Sequence, residues 1–301
     1  MPEQIYSAAI IDLNGVVYEH GETRADGTTE KIIRPGAREF LDFLVDSPVP
    51  HLFATNTTSQ MKEDVAIELA ESGLEITPNN IFSCVEAGLQ YLQQEDLRRV
   101  YLISSSDKLR ARFRTYEHEG FRIELVSSYD STHPDDPNNK IDAVVVGFDR
   151  EFHSRTRNDA TDFVMGGARI VALNMNENRP KLDGTHEWNV GACVAGLVCA
   201  AKIRPEDVYN AGKPNREFYV QAQSMLGYSL SRVAEVLVIG DDPEADLRGA
   251  RDRSMATAFF PSRKDAEWPS DLGFSPDVTV RESLEELIPY FIVPQGKNRQ
   301  E

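Results

Sequence analysis

Short apolar runs alternate with amphipathic stretches along most of this chain. Residues 7–12 read Ser-Ala-Ala-Ile-Ile-Asp, an apolar run too short for a helix and ending in a carboxylate. Such a run predicts a strand buried on both faces, with its acid at the carboxyl end. Gly15 allows a turn after it, and the polar residues 19–31 read as a loop. Pro35-Gly36 opens a predicted helix with apolar positions at Phe40, Leu41, Leu44 and Val45. Residues 49–54 predict a second strand, and 55–59 supply capping side chains for a helix running to about Ser72. Further strands are predicted over 100–104, 143–147, 170–173, 235–240 and 256–260. Helices are predicted over 108–120, 190–202 and 216–226, and 131–140 reads as a Pro/Asp/Asn loop. This alternation predicts an α/β fold with a doubly wound, mostly parallel sheet, in which ligands bind beyond the carboxyl ends of the strands.

Composition narrows the picture. A length of 301 residues suggests two domains, at roughly 100–200 residues per domain. Hydrophobic residues make up 41%, enough for a core. The formal net charge of -17 argues against a general nucleic-acid or anionic-membrane binder, and a local anion pocket remains open. The apolar run 190–201 is far short of the ~20 residues that span a bilayer. The first residues lack the basic region of a signal peptide. Three cysteines without a C-x-x-C pair fit a reducing compartment, so a cytoplasmic location is expected. Cys193 and Cys199 lie on the small-residue helix predicted at 190–202 and read as core. The six histidines show neither zinc spacing nor a catalytic triad. The sequence leaves a homodimer open.

Polar chemistry collects at strand ends. Asp12, Thr55-Asn56 and Asp241-Asp242 each follow an apolar run, and Lys213 precedes a predicted helix. If these loops share one sheet edge, carboxylates, amide and hydroxyl donors and an ammonium converge. Carboxylates with water suit Mg²⁺, a hard cation that favours oxygen ligands. A lysine and the amides of a helix start suit a phosphoryl group, and a carboxylate can attack phosphorus.

The segments Asp12-Leu-Asn-Gly-Val-Val-Tyr18, Phe53-Ala-Thr-Asn-Thr-Thr-Ser59, Gly212-Lys213-Pro214 and Gly240-Asp-Asp-Pro-Glu-Ala-Asp246 resemble, in order, the four motifs of the haloacid dehalogenase superfamily. Residues 143–149 and Ala172-Leu-Asn-Met-Asn176 with Pro180 resemble the cap of its class-IIA members, of the p-nitrophenylphosphatase, phosphoglycolate phosphatase and nucleotide phosphatase type. The resemblance covers about residues 7–290. It implies a catalytic core over 1–83 and 183–301, with an inserted α/β cap at 84–182 that sets substrate specificity. It implies that Asp12 is the nucleophile and a Mg²⁺ ligand, and that residue 14 gives the metal its backbone carbonyl. Thr55 and the Asn56 amide would hold phosphoryl oxygens, with Asn176 on the substrate. Lys213 would neutralise Asp12 and the phosphate, Asp241 would ligate the metal, and Asp246 would complete the metal site by orienting Asp241 or holding the metal's waters. The substrate implied is a small phosphorylated metabolite, hydrolysed through an aspartyl-phosphate.

Position 14 departs from the family pattern. The aspartate usual there protonates the leaving group and later activates water. Asn14 donates a hydrogen bond but shuttles no proton, and loss of a general acid/base costs ~10²–10⁴ in rate. Asn176 is a second departure, where the family's cap often carries an aspartate. The alternative reading is therefore a catalytically impaired domain that binds a phosphometabolite or a protein partner without turnover.

Overall fold

A computed structural model describes residues 5–23, 29–47, 49–127, 129, 140–180, 185–262 and 267–291. The chain divides into two compact units. The first comprises Met1–Thr55, Glu63–Phe82 and Lys213–Glu301, and the second Asn56–Lys62 and Ser83–Gly212. The stretch 183–212, read from the sequence as core, belongs to the second unit.

The first unit is built on a six-stranded sheet. Its order from edge to edge is Val278–Thr279, Ala256–Phe259, Val236–Gly240, Ala8–Asp12, His51–Thr55 and Ile81–Ser83. The pairings from Val278–Thr279 across to His51–Thr55 are parallel. All five residues of Ala8–Asp12 and of Val236–Gly240 are buried, as expected for central parallel strands covered on both faces. From Ala8–Asp12 the chain moves outward to one side, and it later returns through Val236–Gly240 on the other. The switch in direction lies between these two neighbours, where parallel sheets open a crevice at their carboxyl ends.

The helix Ala37–Asp46 buries Ala37, Phe40, Leu41 and Leu44, the spacing of one helical face. Phe40 and Leu44 join Ile11, Phe53, Ile239 and Leu287 in the core of this unit. The helix Arg216–Met225 starts at Asn215, whose side chain accepts a hydrogen bond from the Glu217 amide at 3.1 Å.

The second unit has its own five-stranded parallel sheet, ordered Tyr209–Asn210, Arg169–Ala172, Ala143–Val146, Arg99–Ile103 and Glu124–Val126. The helices Ser154–Met165 and Val190–Ala201 supply Ala160, Val164, Val194 and Leu197 to its core. Among the described residues no helix is long and apolar enough to cross a membrane.

Three expectations change. Much of 19–31 is an antiparallel ribbon of Tyr18–Thr23 and Thr29–Ile33; residues 24–28 lie outside the described residues. Its side chains are mostly polar, so no buried face marks it in the sequence. Tertiary partners hold it. The buried Lys31 ammonium sits 4.2 Å from the centre of the Tyr18 ring and 3.2 Å from the Glu68 carboxylate. The helix predicted over 108–120 spans Asp107–Arg114. Glu117–His118 and Phe121–Arg122 then pair around Glu119 and Gly120, both at positive φ. Two such residues make the tight turn that fits strand twist. Cys193 is buried but Cys199 is exposed, because it falls on the outward face of Val190–Ala201. The loop predicted at 131–140 lies outside the described residues apart from Lys140.

The phase of Val190–Ala201 gives a direct check. Leu197→Ala is expected to cost about 2–5 kcal/mol and Cys199→Ser less than about 0.5 kcal/mol, read from urea unfolding. Equal costs would mean a helix rotated from the orientation described.

Candidate active site

The candidate site forms where the sheet of the first unit changes direction. Ile11 pairs with Ile239, so Asp12 and Asp241 leave adjacent strands within one residue of each other in register. Asp12 also pairs with Ala54, which puts Thr55, buried at the end of its strand, next in line. Lys213 comes from the segment before the helix Arg216–Met225, and Asp246 from the turn after Val236–Gly240. Asp12, Lys213 and Asp246 are only 8%, 4% and 4% exposed. Water therefore screens their charges weakly.

The Lys213 ammonium donates to Asp12 Oδ1 in a close hydrogen bond and to Asp246 Oδ1 at 2.7 Å. The other Asp246 oxygen, Oδ2, accepts from the backbone amides of Asp241 and Asp242, at 3.2 and 3.1 Å. Asp246 belongs to a π-helical turn, Pro243–Arg248. Asp242 caps that turn, its side chain accepting from the Glu244 and Ala245 amides at 2.9 Å each. Beneath Lys213, the buried Tyr219 hydroxyl donates to the Asp246 backbone carbonyl.

Asp12, Asp241 and Asp246 each offer an oxygen lying within 4.8 Å of the others. Two full charges at that spacing repel by about 3.5 kcal/mol at an effective dielectric constant of about 20. One ammonium does not balance three carboxylates. Burial works against the charged Lys213, but Asp12 and Asp246 outweigh it and hold its pKa well above the usual lysine value. The shortage of positive charge therefore falls on the acids. Burial pushes Asp12 up, against the pull of Lys213. Burial, then Asp246 and Asp12, push the Asp241 carboxyl up to about 9.

Hard oxygen donors, an excess of negative charge and acids that hold protons too tightly fit a divalent cation such as Mg²⁺. Asp12, Asp241 and Asp246 are the residues that could hold it. Gly15 keeps the space beside Asp241 clear. Its φ is +93°, and a Cβ there would lie 2.2 Å from an Asp241 carboxylate oxygen. No other residue fits that approach.

Asn14 is exposed on the tight turn that follows Asp12. The Gly15 amide donates to the Tyr18 carbonyl at 2.7 Å, and the Val17 and Tyr18 amides both donate to Leu13. Asn56 and Asn176 belong to the second unit. There the Asn174 side chain donates to the Asn56 carbonyl at 2.9 Å and accepts from the Asn176 amide at 3.0 Å. The first unit thus brings together Asp12, Lys213, Asp241 and Asp246, with Thr55 at the neighbouring strand end. Sequence reasoning missed Tyr219. Only its place six residues beyond Lys213, on the helix that Lys213 precedes, hinted at it.

Two family models match the chain. A haloacid dehalogenase-like hydrolase model covers residues 9–119, and a HAD-hydrolase-like model covers 210–287. The acid sugar phosphatase of Staphylococcus epidermidis is 27% identical over 243 residues, covering 80% of this chain and 81% of that protein. Among solved structures, a hypothetical protein from Pyrococcus horikoshii OT3 superposes with a TM-score of 0.76 at 22% identity, over 94% of this chain and 98% of the other. A p-nitrophenyl phosphatase from Archaeoglobus fulgidus gives 0.74 at 19% identity, over 95% and 99%. At these identities the structural likenesses concern the fold.

The burial of Asp241 and the crowding of acids around it have a measurable consequence. Asp241 takes up a proton more readily folded than unfolded, where its pKa is ~3.9. Between about pH 4 and pH 9 the folded state binds more protons at this group, so its contribution to stability falls as pH rises. In EDTA, Asp241→Asn is expected to melt above the wild type at pH 8, with the gap shrinking toward pH 5. Saturating Mg²⁺ should reverse the order at pH 8. A gap independent of pH would remove Asp241 as the strained group.

Proposed function

The chain belongs to the haloacid dehalogenase-like hydrolases, and on that premise we propose that it is a phosphatase acting on a small phosphorylated metabolite. One observation carries the reading: a buried nucleophile-sized carboxylate, Asp12, lies against an ammonium and two further acids at the switch point of a parallel sheet. Asp12 attacks phosphorus. A bond forms from its carboxylate oxygen, and the bond to the leaving oxygen breaks. Lys213 stays protonated and offsets negative charge on Asp12 and the phosphoryl oxygens. Thr55 offers its hydroxyl to a phosphoryl oxygen. Bound Mg²⁺ supplies charge neutralisation, with Asp12, Asp241 and Asp246 as the residues that hold it. Water then cleaves the acyl phosphate, returning Asp12 and releasing phosphate.

The test is Mg²⁺-dependent phosphate release across a panel of phosphate esters and anhydrides. Activity is expected in wild type and should fall to the no-enzyme rate in Asp12→Asn. Folded, Mg²⁺-bound protein with no turnover on the whole panel would favour the second reading, binding without catalysis, for which Asn14 is the motive.

Asn14 makes three further outcomes specific. Aryl and acyl phosphates leave as stable anions and need no proton, whereas sugar phosphates leave as alkoxides. The kcat/KM values should therefore fall steeply as leaving-group basicity rises. Breakdown of the phosphoenzyme needs a base for every substrate, so acetyl phosphate should give a burst close to the enzyme concentration, with base-labile phosphate on the Asp12 peptide. Steady turnover without a burst would refute the slow second step. Asn14→Asp is expected to raise turnover at least about tenfold, toward the ~10²–10⁴ ascribed to general acid/base catalysis. Peptide mass spectrometry must accompany all three, since deamidation of Asn14-Gly15 would mimic that variant.

A further inference from the structure

We infer that Tyr219 is a positioning residue: its phenol fixes the Asp246 main chain and, through it, the carboxylate that aligns Lys213 and the segment at Asp241. The inference deepens the phosphoryl-transfer reading and rests on it for the purpose of the cluster.

Asp246 is tied from several sides. Its carboxylate takes the Lys213 ammonium on Oδ1 and the amides of Asp241 and Asp242 on Oδ2. Its backbone carbonyl takes the Tyr219 hydroxyl. The carbonyl bond matters because it ties the main chain of the π-helical turn Pro243–Arg248, from which the Asp246 carboxylate projects, to a buried side chain of another helix.

Tyr219 is built for that role and for little else. It is completely buried, and its ring meets Phe218 edge-on with centroids 5.5 Å apart. Phe218 in turn packs on Phe82 at 4.9 Å. Gly249 lets the chain close over the ring: a Cβ there would lie 2.8 Å from the Tyr219 ring and 1.8 Å from the Pro214 carbonyl oxygen. The phenol is thus held in one place and cannot swing to another partner without moving its helix. Without the hydroxyl, the Asp246 main chain loses a buried anchor, and its carboxylate is freer to shift from Lys213 and the Asp241 amide.

The experiment compares Tyr219→Phe with wild type in the full chain, using Leu44→Ala, in the core of the same unit, as a control that perturbs packing but removes no polar atom. Mg²⁺ affinity is measured by calorimetry, and amide exchange of the 240–248 segment is measured in EDTA. Tyr219→Phe is expected to weaken Mg²⁺ binding about 10–100-fold, the usual effect of losing a group that orients metal ligands. It should also speed exchange at Asp241 and Asp242 relative to the strand Ala8–Asp12. Leu44→Ala should lower the melting temperature while leaving both readouts near wild type. If Tyr219→Phe binds Mg²⁺ within twofold of wild type while Asp241→Ala does not bind it, Tyr219 is merely a packed side chain and the inference fails. If wild type itself binds no Mg²⁺, the metal part of the proposed function fails instead. The exchange measurement, which needs no metal, then decides the positioning role: unchanged exchange in Tyr219→Phe overturns it.

Discussion

Three carboxylates share one ammonium at the head of the first unit's sheet, and most of the surrounding structure follows from holding that arrangement together. Lys213 can neutralise two of the acids it touches only in part, and Asp241 remains next to Asp12 and Asp246. Breaking one partner of a buried pair costs about 3–5 kcal/mol, because the other charge is left stranded. The neighbourhood is correspondingly overdetermined. Gly15 gives way to the Asp241 carboxylate, Asp242 caps its own turn, and Tyr219 holds the main chain of Asp246. Strain of this kind is expected where a protein stores affinity for a ligand that is not part of the chain.

A buried acid in the second unit shows the contrast. Asp149 accepts both oxygens' worth of donors from the Tyr129 hydroxyl, at 2.7 and 2.8 Å, and from the Glu151 and Phe152 amides at 3.0 Å. Those donors are neutral, and they satisfy the carboxylate locally. Asp149 therefore reads as a fastening for its loop. Asp241 instead is pushed up first by its burial and then by the Asp246 and Asp12 carboxylates that face it. The two acids differ in what surrounds them: neutral donors at Asp149, other carboxylates at Asp241.

Charge chemistry and proton chemistry are separated in this site. On the proposed reading, the groups that would stabilise a phosphoryl transfer, Asp12, Lys213 and Asp246, are buried and mutually bonded. Position 14 is exposed on a turn whose backbone is occupied by its own hydrogen bonds, and it carries an amide. On the proposed reading, the chain retains the machinery for loading Asp12 and lacks the group that usually clears it. The polar ribbon Tyr18–Thr23 and Thr29–Ile33 continues directly from that turn.

The central strands were legible because burial on both faces leaves an unmistakable apolar run, as in Ala8–Asp12 and Val236–Gly240. The acids at their ends, and Lys213 before its helix, were legible as residue types at strand and helix boundaries. The sequence alone thus determined the α/β class, the parallel core and the identities of Asp12, Lys213 and Asp241 as candidates, while Asp246 entered only through the family resemblance. It did not determine the ribbon, because a two-stranded polar element has no periodic apolar face and is held by partners such as Glu68 that lie far along the chain. It did not determine that Cys199 faces outward, because a helix of small residues carries no polar mark of its phase. Nor did it single out Tyr219, whose role depends on a π-helical turn 24 to 29 residues later in the chain. Those features rest on contacts between distant segments, which only the tertiary structure brings within hydrogen-bonding reach.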